Sequence, residues 1–392
     1  MSTEAPRGAP VPGQKRPSYR PALLLHRPIL RHWLAVALLA VFFGACGYSV
    51  LKIVRAQSGV TATVLGIMLS LVVLGIIVPV LLWLDRFERE PPQLLVMVFA
   101  WGACVATLGA LTLNQFGGTL VGVRPGDSLL DVTVAPVVEE SLKGLAPLLI
   151  LLLWRREIDG VVDGMVYAGM TAAGFAAVED VFYLAQGYST AGRHGLFATF
   201  LVRVVMSPFA HPLFSLCVGI GIGLSATSGR WLVRIAAPII GWCCAVLLHA
   251  GWNAGAVLAI HGSVWTYLLL QLPLFAAFVA IVVTARRREA ALIDRHLRHY
   301  VETGDLTLPE VAMLASIPER RYARAWAGAH YGRLGEHQMR QLQDAGSELA
   351  LLQARIAHGQ RGARLRTDER DLLNVIAGCR EPYLDTALYR RG

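Results

Sequence analysis

Glu139, Glu140 and Lys143 sit in the middle of an apolar run, Ala135-Pro136-Val137-Val138-Glu139-Glu140-Ser141-Leu142-Lys143. Glu179 and Asp180 follow in a second run, Arg203 and His211 in a third, His249 and Asn253 in a fourth. Carboxylates and imidazoles in such numbers suit the activation of water. A carboxylate accepts the proton, while imidazoles hold a metal or stabilise an oxyanion. Catalytic zinc commonly takes two His and one Glu with a water. Glu139 and Lys143 are spaced i, i+4 in the favoured order and are expected to pair on one helix face. Glu140, about 100° round the helix, is then the carboxylate free for chemistry. Pro136 is expected to kink the helix beside them. His249 and Asn253, also i, i+4, project toward one spot. The chain has no H-E-x-x-H, G-x-G-D or G-x-S-x-G motif, so those zinc, aspartyl and serine designs are not indicated.

What positions these residues is set by composition. Of 392 residues, 55% are apolar and 16% charged, with a mean hydropathy of +0.51. Soluble domains carry nearer ~25% charge, so the apolar excess faces lipid. Spanning-length runs, about 20 residues each for a ~30 Å hydrocarbon layer, lie near 33–54, 61–84, 93–116, 129–153, 160–184, 198–225, 234–259 and 263–284. The expected fold is all-α: a polytopic membrane bundle of about eight transmembrane helices with a small helical cytosolic C-terminal region. Residues 1–32 are expected to form a basic, disordered cytosolic tail, 33–284 the membrane domain and 285–392 the C-terminal region. No cleavable signal peptide is read at the start.

The net charge of +9 does not mark a nucleic-acid binder, because the basic residues flank the apolar runs. Arg86, Arg89, Arg155, Arg156, Arg230, Arg234 and Arg286–Arg288 fall on one side, with the Arg-rich start of the chain. That asymmetry puts both termini in the cytoplasm. Five of the six cysteines lie in apolar runs without a C-x-x-C pair, so no disulfide framework or thiolate zinc site is expected, and vicinal Cys243 and Cys244 read as small core residues. Gly160, Gly164, Gly169 and Gly174 allow close helix approach.

A lone intramembrane Glu–Lys pair or His more often serves packing than catalysis. Here four successive runs each bring ionisable groups, and their summed insertion cost is of order 10 kcal/mol. One shared site offsets that cost better than four separate accidents. Buried Glu/His chains also serve proton relays, so the alternative class is a non-catalytic scaffold or a proton- or ion-conducting protein. No convincing repeat between the halves supports transport.

At these residues the sequence resembles the PrsW family of intramembrane proteases, distantly akin to the CAAX-protease and bacteriocin-processing membrane group. The matching motifs are Asp85-Arg86-Phe87-Glu88-Arg89-Glu90-Pro91-Pro92, Glu139-Glu140-x-x-Lys143, Asp163-Gly164-Met165-Val166-Tyr167, Phe175-x-x-x-Glu179, His211 and His249-x-x-x-Asn253. The resemblance implies a multi-pass peptidase of the bacterial cell membrane. It would cut single-span membrane-anchored substrates such as anti-sigma factors, within the lipid bilayer and without nucleic acid. It points to Glu139, Glu140, His249 and Asn253 as catalytic, Asn253 as an oxyanion donor, and to Glu140, Glu179, His211 and His249 as ligands of a divalent metal, zinc first. A metal-free Glu/His mechanism would use the same residues. Asp180 stands where the family more often has Asn, and the 108-residue tail from Ala285 lies outside the family core.

Overall fold

The computed structural model describes residues 29–121, 128–259, 269 and 272–383, and every element among them is helical. α1 (Ile29–Leu84) is broken at Gly59, whose φ of 82° only glycine adopts without strain, giving arms 29–58 and 60–84. α2 (Pro92–Ala100) passes through a π-helical turn, Trp101–Ala106, into α3 (Thr107–Val121). α4 (Ser128–Leu153) and α5 (Val161–Phe200) follow, the latter broken at Ala191–Gly192. A second π-turn, Leu201–Met206, leads to α6 (Ala210–Thr227), then α7 (Trp231–Ala259) and α8 (Leu272–Leu297).

Among the described residues four stretches are long and apolar enough to cross a membrane: Ala37–Leu84, Pro92–Phe116, Val161–Thr227 and Trp231–Val257. α4 has 26 residues, ~39 Å at 1.5 Å each, but carries its charged triplet at mid-length. The expected span 198–225 is not one helix. Pro208 lacks an N–H and disfavours helix at the residue before it; Ser207 sits at φ −135°, ψ 36°, and α6 restarts at Ala210. α4, by contrast, runs unbroken through Pro136 and Pro147.

α5 is the centre of the bundle. The stretch Val161–Thr227 has 78% of its most apolar window buried, against 11% for Trp231–Val257 at the rim. Close approach is enforced by glycine: a Cβ on Gly164 would collide with the Gly219 carbonyl, and one on Gly174 with that of Phe99. The rim position of α7 also explains why Cys243 and Cys244 are exposed rather than core residues.

Beyond α8 come α9 (His299–Glu302), α10 (Leu308–Leu314), α11 (Ile317–Ala357, broken at Gly332) and α12 (Ala363–Arg380). Thr307 and Glu310 close a capping box on α10, holding its first turn. These helices enclose a second apolar core around Leu314, Leu342, Leu349 and Ile376. Phe87, from the loop between α1 and α2, inserts into that core. Arg320, 1% exposed, donates to the carbonyls of Phe87 at 2.7 Å and Leu314 at 2.8 Å, and Ser347 donates to the Phe87 carbonyl at 3.0 Å.

The same junction gathers carboxyls. Asp85, Glu90, Asp159 and Glu289 are all buried, and Glu289 Oε2 has no hydrogen-bond partner among the described residues. Burial above all pushes the Asp85 carboxyl up to about 8, with the Asp163 charge adding to it and the Glu90 N–H opposing. Burial likewise raises Glu90, Asp159 and Glu289 well above the ordinary range, with neighbouring acids adding to it. A carboxyl raised in the folded state stabilises most below the unfolded value near ~4 and loses that contribution as pH rises through its folded value. Thermal unfolding should therefore fall in temperature between pH 6 and 8.5, and the Asp85→Asn/Glu289→Gln double variant should flatten the slope, as followed by tryptophan fluorescence.

Candidate active site

Glu139, Glu140 and Lys143 project from the middle of α4, and all are buried. The pairing differs from the i, i+4 expectation. Lys143 Nζ lies 2.5 Å from Glu140 Oε1, one turn back at i, i+3. Glu140 also accepts from His249 Nδ1 at 2.9 Å and from Ser215 Oγ at 3.0 Å. Three donors therefore occupy Glu140, and it is Glu139 whose Oε2 is buried without a hydrogen-bond partner among the described residues. Both pairings satisfy helical spacing. The deciding contacts come from α6 and α7, which face Glu140.

His249, with its Nδ1–H donated to Glu140, turns the Nε2 lone pair toward Glu139 Oε2, 3.8 Å away. Phe214 stacks on its ring at 4.9 Å, fixing the plane. His211 occupies the first turn of α6, immediately after the break at Pro208, and so enters the bundle from a helix start. Its Nδ1 is 3.2 Å from Lys143 Nζ and its Nε2 is 2.6 Å from Glu179 Oε2. An ammonium only donates, so Nδ1 accepts and Nε2–H donates to Glu179. The two imidazoles stand edge to face at 5.3 Å.

Glu139, His211 and His249 each offer a ligand atom, and the three atoms lie within 4.8 Å of one another. Two nitrogens and one carboxylate oxygen suit zinc, and a partnerless buried carboxylate oxygen is what a cation would satisfy. Glu140 backs the His249 imidazole, the outer carboxylate–histidine arrangement that orients metal ligands, whereas His211 has Nε2 on Glu179 and Nδ1 on Lys143. Glu139 Oε2 and His249 Nε2 therefore fit a metal as they stand, and His211 completes the set by giving up Lys143 or Glu179.

Glu139, Glu179, His211, His249 and Asn253 line one cavity of about 590 Å³. Asn253 Nδ2 donates to the Asp131 carbonyl at 2.7 Å, which leaves its second amide hydrogen for the cavity. Glu140 is not among the lining residues. Asp180 is 3% exposed and accepts from Arg203 Nε at 2.5 Å. Arg203 Nη2 donates to Glu179.

Sequence reasoning missed Ser215 and the double engagement of Arg203. Ser215 follows His211 at i+4 and thus shares its helix face, a signal that was there to read. The π-turn at Trp101–Ala106, which sets Trp101 Nε1 to donate to the Leu142 carbonyl at 3.0 Å, has no sequence signature.

The model of the PrsW family intramembrane metalloproteases matches residues 90–278 of this chain. The family resemblance read from the motifs is borne out over that segment. The chain is similar to three curated bacterial proteins named Protease PrsW. The one from Clostridioides difficile (strain 630) is 30% identical over 152 residues, 36% of this chain and 61% of that protein. The Geobacillus kaustophilus (strain HTA426) protein is 26% identical over 36% of this chain and 57% of its own length. The Bacillus subtilis (strain 168) protein is 24% identical over 49% of this chain and 81% of its own. The matches thus span about six tenths of the length of the first two relatives. No solved structure matches.

The two glutamates separate by stability alone. Glu140→Gln strips Lys143 of its only ion-pair partner among the described residues, and an uncompensated buried charge costs roughly 3–5 kcal/mol. Glu139→Gln removes a charge whose oxygen has no partner and should leave thermal stability unchanged or raise it. Calorimetry or fluorescence melts on both variants read the difference.

Proposed function

We propose that this chain is an intramembrane peptidase that hydrolyses a peptide bond of a single-span, membrane-anchored protein, an anti-sigma factor being one such substrate. The observation that carries the reading is Glu139, buried and with Oε2 in no hydrogen bond among the described residues, facing His249 beside His211 at the end of a cavity. Six of the eight apolar runs fall within described helical stretches, while 198–225 is broken before Ala210 and 263–284 is described as helix from Leu272 on. Our reading remains an eight-span membrane domain over 33–284, with a cytosolic tail over 1–32 and a cytosolic region over 285–392. Residues 1–28 lie outside those described. The chain would reside in the bacterial plasma membrane with both termini cytoplasmic.

Glu139, His211 and His249 would hold zinc, which when bound polarises a scissile carbonyl and eases ionisation of water. Glu140 is assigned to orienting His249, in place of the base or ligand expected from the motifs. Lys143 offsets the Glu140 charge. Glu179 lines the cavity and has Oε1 in no described hydrogen bond, so it is placed to take the proton from the attacking water. The second amide hydrogen of Asn253 donates to the carbonyl oxygen as charge develops there. Trp252, on the cavity wall, keeps bulk water from the reacting bond. A metal-free variant is favoured by one observation, the occupation of both His211 nitrogens; in it Glu139 is the base.

The cavity runs from Glu139 and His249 to Asp131 and Val257, about 12 Å along α4 and α7 at 1.5 Å per residue. That direction leads away from the Arg155–Arg156 face. In the proposed topology the scissile bond therefore enters from the outer side.

Glu139→Gln should lower cleavage of a single-span reporter by ~10²–10⁴ and abolish bound zinc. His211→Ala and His249→Ala should empty the site likewise. If chelation leaves cleavage intact while Glu139→Gln abolishes it, the metal-free variant holds. Full activity in Glu139→Gln removes the peptidase reading. Reporter fusions after Arg89, Arg156, Arg230 and Arg288 should read cytoplasm, and fusions near Arg124 and Arg193 the outside; a cytoplasmic signal at Arg124 would overturn the eight-span topology.

A further inference from the structure

We propose that Arg203 is a positioning residue of this site: its guanidinium sets Glu179 against His211, and Asp180 anchors the guanidinium. The inference rests on the peptidase reading and assigns roles to two residues which that reading leaves idle. Glu179 and Asp180 are neighbours on α5, so their side chains diverge by about 100°. One group reaching both must sit between them and offer two donors in fixed relation. Arg203 does so from the π-turn Leu201–Met206: Nε donates to Asp180 Oδ1 at 2.5 Å, and Nη2 donates to Glu179 Oε2. That same Glu179 oxygen meets His211 Nε2 at 2.6 Å. The guanidinium lies over the Tyr183 ring, 4.1 Å from its centroid, which restrains it from the other side. Without it, Glu179 would be an anion at membrane depth with only an imidazole N–H to fix its rotamer. A lysine, a point charge without a planar fork, cannot make both contacts in this geometry. Asp180, 3% exposed, touches no cavity ligand itself and acts through Arg203.

The test uses the full chain in detergent or nanodiscs, as wild type, Arg203→Ala, Arg203→Lys and Asp180→Asn. Reporter kcat and KM, zinc affinity by competition with a chelating dye, and thermal stability are measured on the same preparations. Arg203→Ala should lower kcat by ~10²-fold with KM little changed, and weaken zinc binding by the ~10–100-fold typical of a lost outer partner. Methylguanidinium, which the cavity beside Arg203 admits, should restore part of both. Lys should restore little, and Asp180→Asn should fall between. Wild-type kcat and zinc affinity in Arg203→Ala overturn the proposal, as does a loss that tracks stability alone and ignores methylguanidinium. Should Arg203→Ala not fold, wild-type values in Arg203→Lys and Asp180→Asn overturn it equally. A wild type that neither cleaves nor binds zinc defeats the peptidase reading and this proposal together, whereas active, zinc-binding variants defeat this proposal alone.

Discussion

The contact on which the rest of the membrane site depends is the ion pair between Lys143 and Glu140, both essentially without solvent exposure. Neither charge is tolerable alone at that depth. Once joined, they give His249 an acceptor for Nδ1–H and His211 a donor at Nδ1. The pair thereby sets the tautomer of both imidazoles, and the tautomers decide which nitrogens face the cavity. Glu139 Oε2 is left without a hydrogen bond among the described residues, while its neighbour takes Lys143, Ser215 and His249 Nδ1. A buried ion pair is weak evidence for stability; here its consequence is chemical asymmetry between two adjacent glutamates.

Scaffold and site are matched in stiffness. Gly164 and Gly174 bring α5 into backbone contact with α6 and α2, so the helix bearing Glu179 and Asp180 has little freedom to slide. The irregular backbone is concentrated where side chains must be aimed: the π-turn before Thr107, the π-turn bearing Arg203, and the break before His211. Such irregularity at membrane depth is tolerated where it is buried in protein or lines a cavity.

Much of this was legible in the residues. Apolar run lengths located most of the helical stretches because crossing a bilayer takes about 20 apolar residues, but not the break inside 198–225. The charged interruptions located the site because lipid makes each of them costly. What periodicity could not decide was the choice between i, i+3 and i, i+4 for Lys143, because both lie on the same face and the neighbours at Ser215 and His249 are 75 and 109 residues away from Glu140. The break at Ser207–Phe209 was signalled by Pro208 but masked by the apolar residues around it. Nothing in the tail announced that its core would be completed by Phe87, since that contact joins residues far apart in the chain.

That last contact orders biosynthesis. Phe87 leaves the ribosome early, yet its carbonyl partners Arg320 and Ser347 lie 233 and 260 residues later. Throughout translation of the intervening helices the aromatic ring must wait without its enclosing shell, and contacts of such sequence separation form slowly. The C-terminal helices cannot finish their own core until the early loop has been delivered to them. Completion of the tail core thus requires the Phe87 loop to be in place, and a chain in which that loop is mispositioned would carry an open apolar socket prone to aggregation.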